Sequence, residues 1–181
     1  MLRDDQRKRL LALARTSIEC AFEGCFDAPR PEDYDEPLRR PAGAFVTLHT
    51  RHGDLRGCIG SIQAREALVR AVHTNAINAA FRDPRFVPVR RWELPRLGIE
   101  ISVMGPIEVV TRFDEVIVGR DGLIVTRGRS AGLLLPQVAT EYGWDCPTFL
   151  DQTCVKAGLR PGTWREADTR VEKFSAEVFG E

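Results

Sequence analysis

Residues 43 to 60 read as one β-hairpin, and no other stretch limits the fold so tightly. From Gly43 to Thr50 the residues alternate, with Ala44, Val46 and Leu48 on one side and Phe45, Thr47 and His49 on the other. A period of two is the mark of a strand with one buried face. Arg51-His52-Gly53-Asp54 is a turn in which Gly53 is free to take a positive φ. Leu55-Arg56-Gly57-Cys58-Ile59-Gly60 then returns antiparallel. On this alternation Leu55, Gly57 and Ile59 share the core face, and Asp54, Arg56, Cys58 and Gly60 share the other.

The rest of the chain supplies covers for such a sheet. Ser61 to about Arg82 reads as a helix whose Ala67, Leu68, Ala71, Val72, Asn75, Ala79 and Ala80 form a narrow stripe suited to close packing on strands. An earlier helix over about 5–25 carries Leu10, Leu11, Ala14, Ile18, Ala21, Phe22 and Cys25 on one face, with Asp4 or Asp5 capping its start and Gly24 near its end. Cys25 on that stripe is expected to be a small buried hydrophobe. Between the two, residues 27–41 hold Pro29, Pro31, Pro37 and Pro41, which argue against helix and central strand and for an ordered surface wrap.

Asp83-Pro84-Arg85-Phe86 is a turn. Gly98 to Met104 alternates, with Ile99, Ile101 and Val103 inside, and Ile107 to Val110 continues beyond Gly105-Pro106. Phe113 to Val118 reads as a short helix, and residues 122–126 and 132–135 as a second hairpin. Pro136 opens a helix, Pro147 starts another that runs through Lys156 to Gly158, and Phe149, Leu150, Cys154 and Val155 are its expected buried side. Val171 to Phe179 reads as a final strand with Phe174, Ala176 and Val178 inward. Hairpin-like pairs outnumber βαβ patterns. The expected fold class is therefore α+β, a mainly antiparallel sheet with flanking helices, and not a doubly wound sheet.

Composition excludes several classes of function. Lys+Arg and Asp+Glu both number 26, so the formal charge is zero, which argues against a dedicated nucleic-acid binder. No apolar run reaches the roughly 20 residues that span a bilayer, and the N-terminus leads into charged residues. A cytoplasmic location with no membrane partner is the expectation. The five cysteines are odd in number and irregular in spacing, with no Cys-x-x-Cys, which fits neither a disulfide framework nor a structural zinc site.

Cys58 is the strongest candidate for chemistry. A cysteine becomes nucleophilic when nearby positive charge favours its thiolate and the sulfur remains reachable. Arg56 lies two residues away on the same strand face, and Gly57 and Gly60 leave room for a ligand or another backbone. The alternative is a buried cysteine in a glycine-softened strand under a helix. His49 could face Cys58 across the hairpin and form a Cys–His pair, or be an ordinary strand histidine. His73 lies within a helix with no obvious partner. Arg85 belongs to a fork suited to an anion, or to an Arg–Asp network that fixes its turn. The surrounding cluster of Arg82, Arg85, Arg90, Arg91 and Arg96 suits an anionic partner, diluted by Asp83 and Glu93. Glu141 is either a general acid–base in a cleft or a solvated helix side chain.

Taken together, Gly43-Ala44-Phe45-Val46-Thr47-Leu48, Leu55 to Gly60, Asp83 to Phe86, Leu134-Leu135-Pro136-Gln137-Val138-Ala139, Trp144 and Cys154-Val155-Lys156-Ala157-Gly158-Leu159 resemble the AMMECR-type domain family, whose prokaryotic branch is called AmmeMemoRadiSam system protein A. The likeness covers about residues 8–179. It implies that residues 1–181 form a single α+β domain of two unequal lobes with a cleft, the smaller lobe falling within about 111–145 and Leu55–Gly60 near the cleft. It also implies association with a Memo-type protein and a radical-SAM enzyme, but supplies no reaction or cofactor. Two classes of function follow. One is an enzyme or enzyme component in which Cys58 and Arg56, helped by Gly57, Gly60, Arg85 and His49, handle a small anionic substrate. The other is a non-catalytic binding or scaffold module with the hairpin as architecture.

Overall fold

The structure, a computed structural model, describes residues 1–181. The chain divides into two compact units, Met1–Met104 with Glu177–Glu181, and Gly105–Ala176.

The first unit begins with α1, Asp4–Phe22. Arg3 N–H donates to Gln6 Oε1 at 3.0 Å, while Asp4 and Asp5 occupy the first turn, where negative charge suits the helix dipole. Leu10, Leu11, Ala14 and Ile18 are buried as the stripe requires. The helix stops short of Cys25, because Gly24 turns the chain at φ +75°. Cys25 is consequently exposed and not buried, its sulfur 3.6 Å from Asp27 Oδ2. The proline-rich stretch is not free of helix either: Glu36–Arg39 form α2, with Pro37 in the first turn, where its missing N–H is harmless, and Leu38 fully buried.

Strands β1 (Ala44–His49), β2 (Leu55–Ser61) and β3 (Gly98–Val109) lie in the order β2-β1-β3, all antiparallel. β3 runs unbroken through Gly105-Pro106. Ala44, Val46 and Leu48 face inward with Ile99 and Ile101. Helix α3, Leu68–Phe81, packs on that face and on α1. It starts later than Ser61 because β2 runs to Ser61, and its first N–H, that of Leu68, is bound by Arg40 C=O at 3.0 Å. The small-residue stripe brings the backbones together: a Cβ added to Gly57 would lie 2.2 Å from Ala79 O. His73 does have a partner, with Nδ1 2.8 Å from Ser17 Oγ of α1, and its burial pushes its pKa down.

The hairpin register shifts between Leu48 and His49, so that Leu48 pairs with Gly57 but His49 with Leu55. Arg56 is the extra residue of a bulge. One inserted residue reverses the alternation beyond it, which puts Leu55 on the His49 side, 39% exposed and outside the core expected for it.

In the second unit β4 (Asp121–Arg127) pairs antiparallel with β5 (Ser130–Leu134) and with the first half of β6 (Arg170–Gly180), a strand whose last residues belong to the first unit. Helices α4 (Pro136–Glu141) and α5 (Cys146–Lys156) follow β5. Asp145 caps α5 by accepting from Thr148 N–H at 2.9 Å. Leu123, Val125, Phe149, Leu150, Cys154, Trp164 and Val171 make the core. Val155, adjacent to Cys154, points off the buried stripe and is 48% exposed, contrary to expectation. Of residues 113–118, only Phe113–Glu115 coil, as a single 3₁₀ turn. Phe174 is buried over Gly122, whereas Val178, expected inward, is 39% exposed near the chain end. The fold is α+β with antiparallel strands and flanking helices. No helix is long and apolar enough to cross a membrane.

Candidate functional site

β2 is the outer strand of its group, so one side of its backbone has no strand to bond. An open edge of this kind is a liability unless something covers it. The turn after α3 does so with side chains. Cys58 N–H donates to Asp83 Oδ2 at 2.8 Å, and Arg85 Nη2 donates to Cys58 C=O at 3.2 Å. The pair thus supplies the acceptor and the donor that a neighbouring strand would have supplied. Arg85 in turn forks onto Asp83, Nε to Oδ1 at 2.9 Å and Nη2 to Oδ2 at 2.7 Å, and its own N–H adds a bond to Oδ1 at 3.1 Å. The Asp83 side chain is 2% exposed and that of Arg85 55%. The Arg85 guanidinium holds the Asp83 carboxyl well below the usual carboxylate range, against the opposing effect of burial, with the N–H groups of Cys58 and Arg85 assisting.

Arg56, the bulged residue, is closed off in the same manner. Its guanidinium forks onto Glu93, Nε to Oε1 at 3.0 Å and Nη2 to Oε2 at 3.2 Å, and donates to Val87 C=O at 3.0 Å. Both side chains are largely buried, at 13% and 19% exposed. Burial opposes the charge on Glu93, but Arg56 and the N–H of Arg90, at 2.7 Å, outweigh it and keep the carboxyl below its ordinary pKa. Residues 83–93 are therefore laced along the edge of β2 at Cys58 and Arg56.

The half-buried Cys58 thiol lies on the outer face of the hairpin. Its cross-strand partner is Thr47, whose hydroxyl donates to Sγ at 3.3 Å, and Thr47 pairs on its other side with Glu100. His49 does not face Cys58: the register puts it opposite Leu55, with Nε2 4.0 Å from Glu100 Oε1. The room offered by the glycines is occupied from within the chain. The Ala79 carbonyl fills the space at Gly57, and the Phe45 ring, 2.4 Å from a Cβ built on Gly60, fills the space there. Glu141 is exposed on α4. As built, the cluster ties a loop to a strand edge. It leaves one half-exposed guanidinium, Arg85, beside one half-exposed thiol.

The Arg85–Asp83 pair is one of the two arrangements that the sequence offers for that turn, whereas Glu93 and Thr47 are members that the sequence did not single out. An aspartate before proline at the end of a helix is a recognisable turn signal. Nothing local says that its carboxylate reaches Cys58, 25 residues back.

Comparison with known proteins agrees with this architecture. Residues 11–179 match the AMMECR1 family. A protein from Methanothermobacter thermautotrophicus is 44% identical over 183 residues, covering 98% of this chain and 95% of the relative. Protein PF1979 from Pyrococcus furiosus is 44% identical over 190 residues, with 99% and 90% covered. The crystal structure of the uncharacterized protein PH0010 from Pyrococcus horikoshii superposes with a TM-score of 0.88 at 42% identity, covering 99% of this chain and 93% of that one. A single family spans nearly the whole chain, both units included, and the chain belongs to the AMMECR1 family.

Proposed function

We propose that this chain is a cytoplasmic, non-catalytic binding module in which Leu55–Gly60 is architecture, serving the Memo-type and radical-SAM partners implied by its sequence resemblance. One observation carries the reading: the Arg56 guanidinium is forked onto Glu93, with both side chains largely buried. A thiolate needs uncompensated positive charge, and an arginine already neutralised by a carboxylate supplies little. A second reading, an enzyme component that handles a small anionic substrate through Cys58 and Arg56, draws on Arg85, whose half-exposed guanidinium bonds the Cys58 carbonyl.

Limited iodoacetamide labelling at neutral pH, followed by peptide mapping, separates the two. For a binding module, the exposed Cys25 labels first, and the rate at Cys58 is the same in wild type, Arg56→Ala and Arg85→Ala. Labelling of Cys58 ahead of Cys25, slowed in either variant, would overturn the module reading and favour the enzyme.

A further inference from the structure

Beside the Arg56–Glu93 pair lies a cavity of about 360 Å³ between the β1–β2 turn and residues 92–97. We propose that it binds a small anion carrying a planar ring, of the nucleoside-monophosphate class. The proposal is independent of how Cys58 is read, because it takes from that edge only one wall.

The charges around the cavity are uneven. Arg56, Arg85 and Arg91 are neutralised within the chain, by Glu93, Asp83 and Glu23 in turn. Arg51 and Arg96, which line the cavity, have no carboxylate partner, and His52, next to Arg51 in the turn, lines it as well. Glu93, the one acidic residue in the lining, is already forked by Arg56 and so does little to repel an anion. Free guanidinium forks are suited to phosphate or carboxylate oxygens.

An aromatic platform accompanies the charge. Trp92 is 63% exposed, and the Arg96 guanidinium carbon sits 5.9 Å from its ring centroid. An indole left in solvent beside unpaired cations offers a stacking face for a flat ring whose anionic end reaches the arginines. The buried Leu97 adds an apolar wall.

Both walls are held in place. Thr50 Oγ1 accepts from the N–H groups of His52 at 3.3 Å and Asp54 at 3.2 Å, and Gly53 N–H donates to Thr50 C=O at 3.0 Å. Arg15 of α1 donates to the carbonyls of Leu94 at 3.1 Å and Leu97 at 2.9 Å. Groups held in this way lose less freedom when a ligand arrives. The volume falls at the lower end of the roughly 300–1,000 Å³ range of small-molecule sites, which suits one ring with one anionic group.

Isothermal titration of the full chain with AMP, adenosine and inorganic phosphate tests this. AMP is expected to bind saturably, and adenosine and phosphate each about tenfold or more weaker, because each keeps half of the recognition. Trp92→Ala and the double variant Arg51→Ala/Arg96→Ala should each weaken AMP by about tenfold or more, with thermal melting unchanged because these side chains are exposed. The proposal is overturned by the absence of saturable heat up to about 5 mM AMP, by undiminished binding in the double arginine variant, or by phosphate binding as tightly as AMP.

Discussion

The two units use the same pair of residues for different ends. In the first, Asp83 is almost fully buried and forked by the half-exposed Arg85. In the second, Asp121 is almost fully buried and forked by the half-exposed Arg120, at 2.7 and 2.8 Å. In both, the aspartate also takes a backbone N–H, and its pKa is held down by the arginine and that N–H against the cost of burial. The difference is reach. Asp121 accepts from Ile117, four residues back, and closes a local turn, whereas Asp83 accepts from Cys58 and closes the edge of a strand. A buried carboxylate forked by arginine is a general way to bind a stray N–H. Whether it has tertiary consequences depends on whose N–H it is.

The largest effect should come from the contact that brings β2 and α3 together. Gly57→Ala pushes a methyl group to 2.2 Å from the Ala79 carbonyl, a backbone atom that has no rotamer to change, and should cost about 3 kcal/mol in urea unfolding. A nearly neutral result would mean that the two backbones separate easily and that the edge of β2 is looser than described.

Next comes the comparison itself. Asp83→Ala strands the Cys58 N–H in a largely covered edge and should cost about 2–3 kcal/mol. Asp121→Ala frees the Ile117 N–H in a turn where Ile117 is 48% exposed and water can replace the carboxylate, so the loss should be about 1 kcal/mol. Limited proteolysis should cut within residues 83–93 in the first variant only. Equal losses in stability and equal cleavage would erase the distinction between local and long-range use.

Acid titration gives a smaller and graded effect. The folded pKa of Asp83 lies below its unfolded value of about 3.9, so its contribution to stability is complete above that pH and is lost as pH falls through the folded pKa. The stability difference between wild type and Asp83→Asn should therefore hold steady from neutral pH to about 4 and narrow below it. A difference that is constant down to about pH 2 would mean that the charge on Asp83 does not matter. The smallest effect belongs to Gly98→Ala, where an added Cβ meets nothing within 4 Å, and stability should change by less than about 0.5 kcal/mol.

Particular residues show where the sequence could be read and where it could not. The inward set Ala44, Val46 and Leu48 and the α3 stripe were legible because each is a repeat within one element. The same alternation misassigned Leu55, since the bulge at Arg56 leaves no local signature. The apolar stripe misassigned Cys25, because the left-handed turn at Gly24 ended the helix before it. At the candidate site Cys58 and Arg56 could be picked out by residue type. That Arg56 meets Glu93, and Cys58 meets Thr47 and not His49, could not.

The sequence by itself determined the antiparallel α+β class, the approximate strands and helices, and membership of the family. The class and the elements rest on dihedral preference and on hydrophobic period, which are properties of neighbours along the chain, and the family rests on the likeness of its short motifs to those of relatives. Only the tertiary structure decided the hairpin register, the partner of Arg56, the reach of Asp83 and Arg85 to Cys58, and the grouping of Arg51, Trp92 and Arg96 around one cavity. Those depend on which distant segments come within a few ångströms of each other. An ion pair or a hydrogen bond is made at that range, and its strength changes with the burial that the fold imposes.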